Sequence, residues 1–106
     1  MFEIKHPRAP ASLIDGIESN RLYPDRFEIP PAEDQNSAQI GDSVKVGIES
    51  PEIGHEKFWV QIVARIDNGK YIGRVDNDLA DGWGINFNDH IVFEPRHLLA
   101  TFEDAN

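Results

Sequence analysis

The histidines are the first place to look for chemistry. The chain has four, His6, His55, His90 and His97, and no cysteine, so disulfides, thiolate metal sites and cysteine nucleophiles are excluded. His90 and His97, together with Asp89 or Glu94, are side-chain types that zinc accepts. They stand seven residues apart across Pro95 and meet only if the fold brings them together. The same two histidines paired with Asp78 or Asp89 form the one acid–base set from which a metal-dependent or acid/base enzyme would be built. Asp76-Asn77-Asp78-Leu79-Ala80-Asp81-Gly82 is dense in oxygen ligands, as a calcium loop is. Its third acid and its glycine arrive one place late for an EF-hand, and Phe87 stands where the closing Glu belongs. The expectation is a solvated loop whose Asp and Asn side chains satisfy their own backbone, with no metal and no cofactor. No P-loop, dinucleotide fingerprint, nucleophile elbow or His-Glu-x-x-His motif occurs, and no catalytic residue stands out.

The aromatics say more about binding. Trp59 lies on the strand face opposite a clean apolar row, and Trp83 sits between two glycines. An open Trp offers large contact area and an indole N–H donor, which suits it to protein recognition. Trp59 is expected to lie under the N-terminal segment, with Phe27 and Ile29 as its lid, and Trp83 to be the exposed member. The candidate binding patch is therefore Trp83 with Asp76, Asn77, Asp78, His90 and His97, and Trp59 beside it.

Charge narrows the partner. Across 106 residues the formal net charge is −9. Residues 1–40 carry four Lys/Arg against seven Asp/Glu, and residues 41–106 carry six against twelve, so the acidity is spread along the chain. No basic cluster is present to displace the counterions of a nucleic acid or to settle on an anionic membrane. Lys45, Lys57, Arg65, Lys70 and Arg74 are the nearest thing to a basic stripe. A macromolecular partner is expected to be a neutral or basic protein, although solubility alone also accounts for the charge. No apolar run approaches a bilayer span, and Met1–Pro10 lacks the apolar core of a signal peptide, so a cytoplasmic location is expected.

The elements that must position these residues divide the chain at about residue 39. Residues 1–39 hold five of the seven prolines and read as an arm. One short helix is expected there over Ser12–Glu18, capped by Ser12 and weakened by Gly16 in its middle. Phe27–Ile29 then runs extended into Pro30-Pro31, and residues 32–39 read as loop.

From Ile40 the period changes to two. Val44, Val46 and Ile48 alternate with polar or small residues. Phe58, Val60, Ile62, Ala64 and Ile66 share one face of the longest strand. Asn68-Gly69 supplies the positive φ angles of a tight hairpin, and Tyr71–Asp76 returns. Ile85–Phe87 and Ile91–Phe93 are expected as a strand pair or one bent strand, and residues 97–102 as a last short element. Ile40-Gly41-Asp42-Ser43-Val44 and Phe87-Asn88-Asp89-His90-Ile91 share a pattern: a turn residue, then an Asp that bonds nearby backbone, then a strand. The whole predicts a mostly β domain over residues 40–106, a small SH3-like antiparallel barrel or strongly bent sheet with an N-terminal arm carrying one short helix, forming one folding unit. A last strand left exposed would allow a weak homodimer by edge pairing, with a monomer as the alternative.

Phe27-Glu28-Ile29-Pro30, Gly41-Asp42-Ser43-Val44-Lys45, Phe58-Trp59-Val60, Gly73-Arg74-Val75-Asp76-Asn77-Asp78, Asp89-His90-Ile91-Val92-Phe93 and His97 follow one another in an order that resembles the YegJ-like family of small bacterial domains of unknown function. The resemblance spans about residues 25–100. Asn88 stands where that pattern favours Gly, and Leu79–Gly84 with Trp83 departs from it. The likeness implies a fold rather than an activity, since no catalytic residues come with it. Similar small acidic domains in toxin-immunity neighbourhoods make a non-catalytic, immunity-like protein-binding module the first expectation. The His90/His97 enzyme is the second.

Overall fold

The computed structural model describes residues 2–102. In chain order these form β1 (Ser12–Leu13), α1 (Gly16–Leu22), α2 (Ala32–Ser37), β2 (Ser43–Ser50), β3 (Gly54–Arg65), β4 (Tyr71–Val75), β5 (His90–Phe93) and β6 (Ala100–Thr101). Short 3₁₀ turns at Asp67–Gly69 and Pro95–His97 connect them. The sheet is antiparallel in the order β1-β2-β3-β4-β5, and β6 pairs with β2 on the same edge that β1 uses. A mostly β, strongly bent sheet is what the alternation of apolar residues predicts.

The inward side chains come from that alternation. Val44, Val46 and Ile48 of β2 and Phe58, Val60 and Ile62 of β3 are sealed from solvent, as are Tyr71, Val75, Ile91 and Phe93 further along the sheet. The rings of Tyr71 and Phe93 stack at 5.2 Å. Gly73 pairs with Ile62 on one side and Ile91 on the other, and a Cβ there would come within 2.9 Å of Phe93 and 3.1 Å of Val60. The missing side chain is what lets the sheet curl this tightly.

The curl also breaks the long strand's alternation. Ile62 pairs with Gly73 but Ala64 pairs with Ile72, so the register shifts at Val63. A bulge of this kind bends and further twists the strand. Ala64 and Ile66, expected on the core face with Phe58, therefore leave it, and Ile66 is 40% exposed. The hairpin that follows is as expected: Asn68 and Gly69 both take positive φ (68° and 77°).

The arm differs from expectation in both its helices. Ser12 is in β1, paired with Glu49, and α1 begins four residues later. Asp15 caps it by accepting the Glu18 backbone N–H at 3.0 Å. Asp is as good a cap as Ser, and Asp15 gains a second partner in Arg96 at 2.9 Å. Gly16 thus opens the helix instead of interrupting it, and Leu99 Cδ2 sits 2.7 Å from where a Cβ would be. The segment after Pro31, expected as loop, is α2. A proline stops a helix arriving from before it but suits one that starts just after it, and Glu33 and Asp34 favour the first turn.

The arm is laid on the sheet. Ile14 N–H bonds Gly47 C=O at 2.9 Å, and the Ile14 and Leu99 side chains cover Gly47. Ile4 makes a parallel bridge to His90, and Arg8 N–H bonds Trp83 C=O at 2.7 Å. Ile85–Phe87, expected as strand, is irregular: Ile85 is buried in the core while Phe87 is 48% exposed.

Candidate functional site

Trp83 is the largest departure from expectation. It is 1% exposed, and its indole N–H donates to Glu56 Oε1 at 2.8 Å. The same oxygen accepts the Ala80 N–H at 3.1 Å, so one carboxylate on β3 pins both ends of the turn Ala80–Trp83. The glycines on either side take positive φ, +103° at Gly82 and +87° at Gly84, and this turns the indole inward. Its chemical role is that of a core residue with a satisfied donor, and it offers no contact surface.

The other expected site residues do not gather around it. Asp76 and Asp78 are exposed. Asp76 lies 3.5 Å from Arg74, while Asn77 Oδ1 accepts the Trp59 N–H and extends the β3–β4 ladder past its end. His90 opens β5, and His97 lies in the 3₁₀ turn beyond that strand's far end. His90 is half-buried at the arm, its ring 4.7 Å from Phe2. His97 is buried under α1 and α2, and its Nδ1 accepts the Glu94 N–H at 3.0 Å. Burial pushes the His97 pKa down and Arg96 adds to this, so its ring is held neutral with its basic nitrogen already engaged. Asp89 spends a carboxylate oxygen on the Asn86 N–H at 2.8 Å. Among the described residues no hydrogen bond or ion pair joins either histidine to Asp78 or Asp89. None of their His, Asp and Glu side chains form a group of three able to hold a metal.

Trp59 is half-buried, but not under the lid expected for it. Phe27 lies instead beneath Lys57, whose Nζ is 4.9 Å from its ring centre, and Ile29 packs beside Gly16. The Trp59 ring meets Phe102 at 5.9 Å with the planes tilted by 60°, and Lys45 Nζ stands 4.9 Å from its centre. Phe102 also lines a cleft of about 490 Å³.

Three elements wall that cleft. α2 with its C-cap contributes Asp34, Ser37 and Ala38; the entry to β2 contributes Gly41, Asp42, Ser43 and Val44; and Thr101 and Phe102 close it. Each wall is held by bonds the sequence explains. Gln35, 1% exposed, anchors α2 by donating to Leu98 C=O at 3.0 Å, while its own carbonyl accepts the Tyr71 hydroxyl at 2.7 Å. Asp42 Oδ2 accepts the Gln39 N–H at 2.9 Å, with Gly41 at φ 98°. Asp89 and Asn88 repeat this geometry before β5, with Asn88 at φ 71°. The shared pattern of the two segments is therefore one turn used twice. Phe102 N–H reaches Ser43 C=O at 3.1 Å. A second depression of about 350 Å³ beside Pro30, Pro31 and Leu99 has Glu28 as its one charged residue.

Among the described residues, the lining of the larger cleft contains two carboxylates, two serines and an aromatic wall, and no Lys, Arg or His. Such a surface can accept a cation and hydrogen-bond donors. Elsewhere on the sheet the cations are spent within the chain. Lys45, Lys57 and Arg65 lie over Trp59, Phe27 and Tyr71, and Arg74 is bonded to Gln61, Asn88 and Asp76.

Sequence reasoning missed the cleft because Asp34 and Ser37 stand on a helix read as loop, and because Phe102 lies 43 positions from Trp59. The Asp42 turn and the Pro31-Ala32-Glu33-Asp34 start were the available signals. No family model, no curated protein and no solved structure matches the chain.

Proposed function

We propose that this protein is a non-catalytic accessory module that binds a basic segment of a partner protein at the cleft between α2, β2 and β6. The observation that carries this reading is the cleft's lining. Asp34 and Asp42 line it from two different elements, Phe102 forms a wall, and none of the described lining residues is a cation. With a chain of net charge −9, complementary potential speeds and orients the approach of a basic partner, and the half-buried Trp59 beside Phe102 gives the interface an aromatic anchor. The commitment of Lys45, Lys57, Arg65 and Arg74 to internal contacts supports a protein partner over a nucleic acid or an anionic membrane. The resemblance to the YegJ-like domains adds an immunity-like role, the masking of a basic partner, as the specific form of this binding. In this reading the module acts in the cytoplasm. No helix among the described residues is long and apolar enough to cross a membrane.

The test is affinity capture from a cell lysate with the wild-type protein beside the double variant Asp34→Asn, Phe102→Ala, read by mass spectrometry. The expected result is a basic protein retained by the wild type, lost with the variant and released by raised salt. A partner held equally by both proteins, or none held by either, would overturn the proposal.

A further inference from the structure

We propose that the turn Pro95–His97 is a proton-operated latch: a second proton on the His97 ring releases α1 and α2 from the sheet while β2–β5 stay folded. Both helices pack on this turn. Arg96 binds the Asp15 cap of α1 at 2.9 Å, and the Arg96 C=O and the Leu99 side chain lie against Gly16. Leu98 C=O, the next carbonyl after the turn, accepts the Gln35 side-chain N–H at 3.0 Å and so holds α2. One more tie reaches α2 from β4, the Tyr71 hydroxyl on Gln35 C=O, and it must break in the same event. Beyond such ties the helices have little to hold them. α1 buries Gly16 and α2 buries Gln35, and among the described residues neither helix sends a large apolar side chain into the core cluster. Segments with few buried apolar contacts are those that open before the whole fold does.

The turn itself depends on an unprotonated ring. His97 Nδ1 accepts the Glu94 N–H at 3.0 Å, while the His97 N–H returns to Glu94 C=O at 2.9 Å. A proton added at Nδ1 turns that acceptor into a donor facing another donor, so the bond is lost and the buried ring must leave its place. The charged groups that act on the ring are Arg96 and Glu94 from its own turn and Asp15 from α1; the buried side chain on the α2 side, Gln35, is uncharged. Arg96 bonds Asp15 at 2.9 Å and Glu94 at 3.0 Å, so an imidazolium has to compete with it for either carboxylate. Burial, and then Arg96, lower the proton affinity of the closed form, and the proton therefore favours the open one. Both carboxylates keep their charge where histidine titrates. The Arg96 hydrogen bond holds Glu94 below its ordinary value, and at Asp15 burial is outweighed by the Glu18 N–H and Arg96. The latch does not rest on the protein-binding reading, but α2 also walls the cleft, so acid would take that wall away.

The test is native-state hydrogen exchange of the full chain between pH 7 and 5, read at single amides by NMR and corrected for the pH dependence of exchange itself. The reporters are the bonded amides of Ser19 and Tyr23 at α1 and of Gln35 in α2. They are expected to exchange as one group, faster than the amides of β2–β4, with protection falling by up to about tenfold per pH unit below ~6.5. Low urea should change their exchange only weakly, because a local opening exposes little surface. His97→Asn keeps an acceptor for the Glu94 N–H and has nothing to protonate, so the helices should lose most of that pH dependence while His6, His55 and His90 still titrate. The urea response is read on the wild type, so the test stands even where the variant does not fold. Reporters unprotected at pH 7, reporters that exchange at the rate of the sheet, a wild-type opening insensitive to pH, or the same pH dependence in folded His97→Asn would each overturn the proposal.

Discussion

Replacing Trp83 by alanine separates a structural tryptophan from a recognition tryptophan, and its cost can be worked from its surroundings. The indole is 1% exposed and lies in the core cluster with Ile85 and Leu98. Truncating a buried aromatic to alanine costs about 3–5 kcal/mol, from lost transfer energy and an unfilled cavity. The hydrogen bond to Glu56 adds little to this, because Glu56 is only half-buried and its oxygen keeps the Ala80 N–H. A domain of this size has about 5–15 kcal/mol in total, so the loss takes between about a fifth of that stability and all of it. With a urea dependence of about 1.5 kcal/mol per molar, the unfolding midpoint should fall by roughly 2–3 M. Far-UV circular dichroism is the appropriate probe, since removing Trp83 also removes one of the two tryptophan fluorophores. Trp83→Phe fills most of the space and should cost less, about 1–2 kcal/mol, chiefly for the part of the indole's volume left unfilled. A Trp83→Ala midpoint corresponding to less than about 0.5 kcal/mol of change would refute the reasoning, since that is how an exposed residue behaves. One practical consequence follows: loss of a partner with Trp83→Ala would report unfolding, and only cleft variants report on the interface.

Gly73→Ala should destabilise the domain by about 1–3 kcal/mol in urea titration, because a Cβ there would press on Phe93 at 2.9 Å and on the branched Val60 at 3.1 Å. Tyr71→Phe should cost about 1–3 kcal/mol by leaving the buried Gln35 carbonyl unpaired, and hydrogen exchange of α2 amides should rise with it. His97 gives the pH dependence. Burial, and then Arg96, lower its pKa in the fold, so the unfolded chain binds its proton more readily. That contribution is complete above about pH 6.5 and is lost as pH falls below it; melting temperatures should drop between pH 7 and 5. The drop should be shallower in His97→Asn, which keeps an acceptor near the Glu94 N–H but has nothing to protonate.

The fold was legible where side-chain alternation decides it. Val44, Val46 and Ile48, Phe58 to Ile62, and the Asn68-Gly69 hairpin all follow from local pattern, and so does the turn shared by Asp42 and Asp89. Legibility stopped where a distant contact overrode a local preference. Ser12 was displaced as a cap because Asp15 gains Arg96, 81 positions away. Ile66 left the core row because a bulge at Val63 is fixed by the curl of the sheet, which no five-residue window contains. Trp83 between two glycines looks exposed until Glu56, 27 positions earlier, is known to meet it. The cleft was invisible for the same reason. Its acids, hydroxyls and ring come from three stretches, and α2, which holds one wall, is itself pinned by Gln35 to a carbonyl 63 positions away.

The central claim is that binding happens at the cleft and not at the acidic loop Asp76–Asp81. The most direct measurement is a map of backbone amide shifts in the ¹⁵N-labelled protein as a blocked glycine–arginine–glycine tripeptide, a basic probe, is added at low and then at raised salt. The account expects the largest shifts at Asp34–Val44, with Phe102 and the Trp59 indole following and the whole set fading as salt screens the carboxylates. Shifts centred on Asp76–Asp81, or a response at the cleft that salt leaves unchanged, would contradict it.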